Sequence, residues 1–266
     1  IKEELNYILS LPTLDLKQQY DVQRSLELIT GNETYVDSVE NALLSKYPNG
    51  VLARDRAIKQ LFREADPDER VKAYNAFVNQ FPEEKFEGIT TTTEELYYDK
   101  LFRSIAYTYI LENKDYGFVF DNLTNASYTN LVDYAWHLVS IPYNNESMSL
   151  DSLQVFADRI FPEIESREHE VPKAYRGKLS PNQWKAMALK AAASEYLTYA
   201  KILNEQQDYK REAYYLNKIA ALLKYENTEY NALYTQQLVR QDKMDEAVSF
   251  IAACLRHNNT SPEMLQ

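Results

Sequence analysis

The chain has a single cysteine, Cys254, among its 266 residues. It cannot form an internal disulfide, and it has no Cys-x-x-Cys pair for redox or metal chemistry. Glycine is scarce as well, with five residues in all, against an average usage of roughly 7%. Hairpins and phosphate-cradling loops depend on glycine, so the scarcity favours an all-helical chain. No Gly-rich phosphate loop, Ser-x-x-Lys or Gly-x-Ser-x-Gly occurs. Basic charge is also in deficit: 29 Lys and Arg stand against 40 Asp and Glu, a net charge of −11. Nucleic-acid binding rests on neutralising phosphates with Lys and Arg, so no nucleic-acid partner is expected. The same deficit argues against an anionic membrane surface. No apolar run reaches the roughly 18 residues of a transmembrane span.

Tyrosine is abundant, with 22 residues. Its ring fills space between helices while its hydroxyl stays near water or a partner. Core filling is one reading; an aromatic ligand-binding face for a glycan or peptide is the other.

An internal repeat organises the chain. Gln207-Asp208-Tyr209-Lys210-Arg211-Glu212-Ala213 returns as Gln241-Asp242-Lys243-Met244-Asp245-Glu246-Ala247, 34 residues later. Asn227-Thr228-Glu229 returns as Ser261-Pro262-Glu263 at the same offset. Near the other end, Ala42-Leu43-Leu44 to Tyr47-Pro48 aligns with Ala76-Phe77-Val78 to Phe81-Pro82, again 34 apart. This is the period of the tetratricopeptide repeat, a helix–turn–helix unit that buries its apolar face only by stacking on neighbours. The predicted fold is all-α, a helical-hairpin solenoid that is irregular in the middle. Residues 1–88 form N-terminal repeats, 94–162 central irregular hairpins, and 180–266 C-terminal repeats.

Punctuation supports this division. Asp66, Pro67 and Glu69 read as N-cap, first helical residue and third helical residue of one helix. Residues 82–93 read as a break, with Thr93 capping the next helix. Pro142 is expected to stop a helix from Tyr128, and Pro162 one from Ser149, because proline lacks the backbone donor. Residues 162–181, with three prolines and a glycine, then form the longest irregular stretch, which could serve as a mobile lid over an all-α active site. A long helix is expected from Ser180-Pro181 to Leu203. Its small residues, Ala186, Ala188 and Ala191 to Ser194, would let the next helix approach closely. Apolar stripes are expected at Tyr209, Ala213, Leu216, Ala220 and Leu223, and at Met244, Ala247, Val248, Ile251 and Leu255.

No set of residues in the sequence carries recognisable catalysis. His137, His169 and His257 lie far apart in sequence. Glu163, Glu165, Glu168, His169 and Glu170 supply metal-ligand types without ligand spacing; they read as a solvated acidic loop, with casual cation binding as the alternative. Cys254 falls where the preceding repeat has Ala220 and reads as a buried thiol. Asp115, Asp121, Asp242 and Asp245 fall at turns or helix starts, where Asp caps. Six Asn-x-Ser/Thr sequons begin at Asn32, Asn122, Asn125, Asn145, Asn258 and Asn259, and matter only in a secreted eukaryotic protein. No catalytic, metal or cofactor-binding residue is assigned.

The Tyr47-Pro48 and Phe81-Pro82 repeats, the Gln241-Asp242-x-x-Asp-Glu-Ala hairpin and the segment Asn258 to Met264 together resemble a known family. They are similar to the helical N-terminal region of thioredoxin-like, TlpA-type periplasmic thiol–disulfide reductases of Gram-negative bacteria. The resemblance implies helical repeats followed by a thioredoxin-like domain carrying Cys-x-x-Cys, a periplasmic or cell-envelope location, and a protein or peptide partner. It transfers no redox residue, because this chain has no Cys-x-x-Cys and no thioredoxin-like βαβ pattern. The chain is then expected to be the non-catalytic, scaffold part. The first residue is Ile1, so any leader is expected to lie outside these residues. The unit opened by Ser261 halts at Gln266, so a continuation is expected.

Overall fold

The computed structural model describes residues 1–89, 94–113 and 115–264. Among these, the regular elements are helical and no strand occurs, so the protein is all-α. No helix among them is long and apolar enough to cross a membrane. The expected cap at Thr93 and the last two residues lie outside the described residues. Backbone contacts divide the chain into two compact units, Ile1–Lys114 and Asp115–Gln266.

The first unit contains α1 (Lys2–Ser10), α2 (Leu16–Glu27), α3 (Glu33–Lys46), α4 (Val51–Leu61), α5 (Pro67–Gln80) and α6 (Glu94–Tyr107). Here the 34-residue register is kept to the residue: α3 and α5 begin and end 34 positions apart. Both close on the aromatic residue before a proline. Tyr47 has φ −129° and ψ 70°, Phe81 φ −124° and ψ 71°. Each amide still donates to the carbonyl four residues back, at 2.8 Å. Proline disfavours helical backbone at the residue before it, so the helix must end there. The two rings are used differently. Tyr47 accepts a hydrogen bond from the Leu14 amide at 2.7 Å. Phe81 is buried, lies 5.4 Å from Phe77 and 6.2 Å from Phe86, and receives no such bond through its ring. Across residues 82–93, Tyr98 of α6 donates to the Phe81 carbonyl at 2.6 Å. Asp66 caps α5 as its sequence implies, accepting from the amides of Asp68 and Glu69 at 3.0 Å.

The second unit contains α7 (Gly117–Asp121), α8 (Tyr128–Ala135), α9 (Ile141–Asn144), α10 (Leu150–Arg167), α11 (Pro181–Ala191), α12 (Ala193–Glu205), α13 (Tyr209–Leu223), α14 (Thr228–Arg240) and α15 (Met244–Arg256). Three expectations about its breaks are corrected. Pro142 does not stop the helix from Tyr128. A π-helical segment, Trp136–Ser140, widens the turn, the Ile141 amide bonds back to Trp136, and Pro142 starts α9 in the first-turn position where no donor is needed. Pro162 lies inside α10, which runs on to Arg167. Its ring is exposed while Phe161, Ile160 and Ile164 are fully buried. Burying a large apolar side chain contributes roughly 1.5–3 kcal/mol, so the three together outweigh the roughly 3 kcal/mol cost of an interior proline. The helix expected from Ser180 to Leu203 is broken at Ala192, whose φ −100° and ψ 6° leave the α-region.

The C-terminal repeat is real but shifted. α12 and α14 begin 35 residues apart, as do α13 and α15. The intervening turns agree: the Asp208 amide donates to Leu203 at 2.8 Å and the Lys243 amide to Leu238 at 3.0 Å. The matched Gln-Asp pair is therefore one residue out of structural register. Asp208 caps α13, accepting from Arg211. Asp242 instead occupies the left-handed turn position at φ 59° that Gln207 holds in the first copy at φ 60°. The apolar stripes are turned as well. α13 buries Glu212, Tyr215, Leu216 and Ile219, and α15 buries Ala247, Phe250 and Cys254. Met244, Val248 and Leu255 face solvent.

Gly50 offers a test of packing in the first unit. A Cβ there would stand 2.1 Å from the buried Gln19 Oε1 and 2.9 Å from the Tyr47 Cβ. Gln19 Nε2 is held by the Leu14 carbonyl, and its Oε1 accepts from the Val51 amide. Gly50→Ala should therefore cost about 1–3 kcal/mol of stability through overpacking. Gly31→Ala, with open space around it but φ 77°, should cost about 1 kcal/mol through left-handed strain. Urea unfolding of both variants checks the order.

Candidate interaction groove

Helix α12 is the hub of the second unit. Nine of its first eleven residues, from Ala193 to Leu203, are buried, the acid Glu195 among them; the exceptions are Ser194 and Lys201. A helix apolar nearly all round must be surrounded. One side carries Tyr196 and Tyr199 into an aromatic layer with Phe161 of α10 and Tyr215 of α13. Phe161 stacks on Tyr199 at 4.5 Å, and Tyr196 on Tyr215 at 5.5 Å.

Burying these rings forces their hydroxyls to find acceptors. Tyr196 donates to Glu168 Oε1 at 2.6 Å, and Lys218 Nζ donates to Glu168 Oε2 at 2.7 Å. Lys218 also reaches Glu165 at 3.1 Å, where Tyr214 donates at 2.9 Å. Tyr199 donates to Asp158, which Arg211 reaches at 2.5 Å. Burial pushes the Tyr196 and Tyr199 hydroxyls far above the ordinary tyrosine range, and their carboxylate acceptors push the same way. Burial by itself would lower Lys218; Glu168 and Glu165 outweigh it and hold the ammonium above its usual value. Glu212, also fully buried, accepts from Asn204 Nδ2 at 2.9 Å and Arg240 Nη2 at 2.5 Å, tying α12, α13 and α14 together.

The acidic cluster expected as a solvated loop is therefore something else. Glu163 to Arg167 belong to the last turns of α10, and Glu168 is 2% exposed and paired. His169 is exposed beyond the helix end. His137 is half-buried in the π segment, and burial lowers its pKa against the pull of Asp133. His257 stacks on Tyr225 at 5.3 Å. Cys254 is fully buried and its thiol is pushed up by burial. Asp115 accepts from the Gly117 amide at 2.9 Å. Among the described residues no three His, Cys, Asp or Glu side chains form a group able to hold a metal. Within residues 168–180, Tyr175 stacks on Trp184 at 5.7 Å, itself against Tyr128 at 5.4 Å. Of the described tyrosines, Tyr7, Tyr175, Tyr209 and Tyr214 are exposed; the others are buried or half-buried between helices.

The other side of α12 forms the floor of an open groove. Ala193, Leu197, Thr198 and Lys201 line a cavity of about 510 Å³. Trp136 and Asn144 supply one wall, Leu222, Leu223 and Asn227 the other, and Lys190 reaches in from α11. A second cavity of about 380 Å³ continues from Lys201 and Glu229 to Tyr143, Glu205, Leu233 and Gln236. The π segment matters here, because it carries Trp136, 43% exposed, to the rim. Tyr143 is fixed by donating to Glu205 at 2.5 Å, with Lys201 Nζ 5.2 Å over its ring. Lys201 pairs with Glu229 at 3.2 Å. Nothing in the sequence marks this groove: its lining residues come from α9, α11, α12, α13 and α14, from the π segment, and from Asn227 and Ser261 between helices.

No family model, curated protein or solved structure matches the chain.

Two stability outcomes follow from the hub. Lys218→Met strands the buried Glu168 carboxylate and should cost about 3 kcal/mol; adding Glu168→Gln should restore much of it, which a double-mutant cycle in urea reads directly. Glu195, 5% exposed, has its pKa raised by burial, while Ser194 and its own amide pull the other way. A carboxyl raised on folding contributes most when protonated, and that contribution is lost as pH rises through its folded pKa. Glu195→Gln should therefore raise the melting temperature at pH 7, and the gain should shrink as pH falls toward about 4.3, the ordinary glutamate value.

Proposed function

We propose that this chain is a non-catalytic, tetratricopeptide-like scaffold region that binds an extended segment of a partner protein in the groove over α12. The observation that carries this reading is the pair of adjoining open cavities, sharing Lys201 and Glu229, whose floor is a largely buried helix and whose rim bears an exposed tryptophan. Stacked helical hairpins use such concave surfaces for binding, and tryptophan at a rim is the residue type that anchors interfaces. Most described tyrosines are buried or half-buried between helices, which removes support from a tyrosine-lined glycan face. The resemblance of the repeats to TlpA-type reductases supports a second element of the proposal. The scaffold is attached to a thioredoxin-like thiol–disulfide oxidoreductase domain and works in the periplasm or cell envelope of a Gram-negative bacterium, positioning partners for that domain.

Photo-crosslinking tests the binding element. A photoreactive residue at position 136 in the full-length protein should give a discrete adduct in its native host, and one at the exposed Tyr7 position should not. Identical adduct patterns from both positions would remove the groove from the proposal. Trp136→Ala should weaken capture of the adduct partner roughly tenfold or more without lowering the melting temperature. The reductase element is tested by the full reading frame: absence of a Cys-x-x-Cys in a thioredoxin-sized segment of it would sink that half.

A further inference from the structure

The charges of the groove point to the chemistry of its occupant. Four charged side chains line the two joined cavities: Lys190, Lys201, Glu205 and Glu229. Two of them are matched by each other, and the third, Glu205, lines only the smaller cavity, where its partner is a neutral hydroxyl. Lys201 pairs with Glu229 at 3.2 Å, and Glu205 accepts from the Tyr143 hydroxyl at 2.5 Å. Lys190 is exposed and makes no ion pair among the described residues. It belongs to the same cavity as Trp136 and the apolar floor residue Leu197. In a chain of net charge −11, an unmatched cation beside an apolar floor is a local departure from the surrounding field.

We infer that the occupant is an extended peptide segment that places an acidic side chain at Lys190 and an apolar side chain against Trp136 and Leu197. This rests on the groove reading proposed above and specifies its ligand class. In the larger cavity, which also holds Trp136 and Leu197, Lys190 is the charge left over beside the Lys201–Glu229 pair, and it favours a carboxylate there over a neutral or basic group. The chain's remaining negative field repels acidic segments elsewhere on the surface, which confines such a segment to the groove. On the two walls, the Asn144 amide and the Nδ2 of Asn227, whose Oδ1 caps α14 by accepting from the Tyr230 amide, face the backbone of an extended chain, which needs such partners.

The test uses four acetylated octapeptides and the fluorescence of Trp136, with a Trp136→Phe protein as the blank for the buried Trp184. The first peptide is Ser-Glu-Leu-Glu-Phe-Ser-Glu-Ser with an amidated end. The second replaces each Glu by Gln, the third by Lys, and the fourth is the Gln peptide with a free carboxyl end. The acidic peptide should bind roughly fivefold to tenfold tighter than the Gln peptide, and the difference should fade as salt rises from about 50 to about 500 mM. Lys190→Glu should abolish that preference and favour the Lys peptide, with the melting temperature unchanged. Equal affinity of the Glu and Gln peptides overturns the acidic class while leaving the groove reading standing. The fourth peptide matching the first would assign the site to a chain terminus and overturn the side-chain reading. If none of the four changes Trp136 emission, the groove reading falls with it.

Discussion

The second unit depends on one constraint: two tyrosine hydroxyls on the buried side of one helix have to be satisfied. Tyr196 and Tyr199 of α12 bring large rings into the core, where a lone hydroxyl would cost roughly 1–3 kcal/mol. Asp158 of α10 and Glu168 at its C-terminal end accept both hydrogen bonds, and Lys218 and Arg211 from α13 balance those carboxylates. The result locks three helices in rotation as well as position, since each hydrogen bond demands a particular face. With that side of α12 fixed inward, the opposite side, from Ala193 to Lys201, is left to line the groove. The interior network and the candidate binding surface are thus two faces of one helix.

The two repeat registers show different uses of one sequence period. In the first unit the helix ends are governed by proline, a local and rigid rule, and α3 and α5 repeat at 34 residues without drift. In the second unit helix starts are governed by caps, which tolerate a shift. Asp208 caps its helix, but its counterpart Asp242 takes the left-handed turn and Lys243, which offers no side-chain acceptor, stands at the cap position. The exchange rotates α15 so that Ala247, Phe250 and Cys254 face inward and Met244, Val248 and Leu255 face out.

Much of the fold was legible in single residues. The Asp66-Pro67 start, the Tyr47-Pro48 and Phe81-Pro82 ends and the helix opened by Ser180-Pro181 stand where local chemistry puts them. Pro162 was misleading because burial of its neighbours outweighed its local penalty, and Pro142 because a π turn placed it in the first turn of α9, where no donor is needed. The candidate site was barely legible. Glu168 looked like one of several acids in a solvated run, and nothing local distinguishes it from Glu163 or Glu170. Lys218, its partner, lies 50 residues away. Lys190, Trp136 and Glu229 share a cavity only because α11, the π segment and α14 all come together at α12.

The sequence by itself determined that the chain is all-α, where most helices begin, and that a period of about 34 residues runs through both ends. Those features follow from glycine scarcity, caps, prolines and spacing, all of which act over a few residues. The tertiary structure alone decided which face of each helix is buried, which acids are paired and where an open surface remains. Those outcomes depend on side chains far apart in sequence meeting in a low-dielectric interior, where an unpaired hydroxyl or charge is costly enough to override local preference.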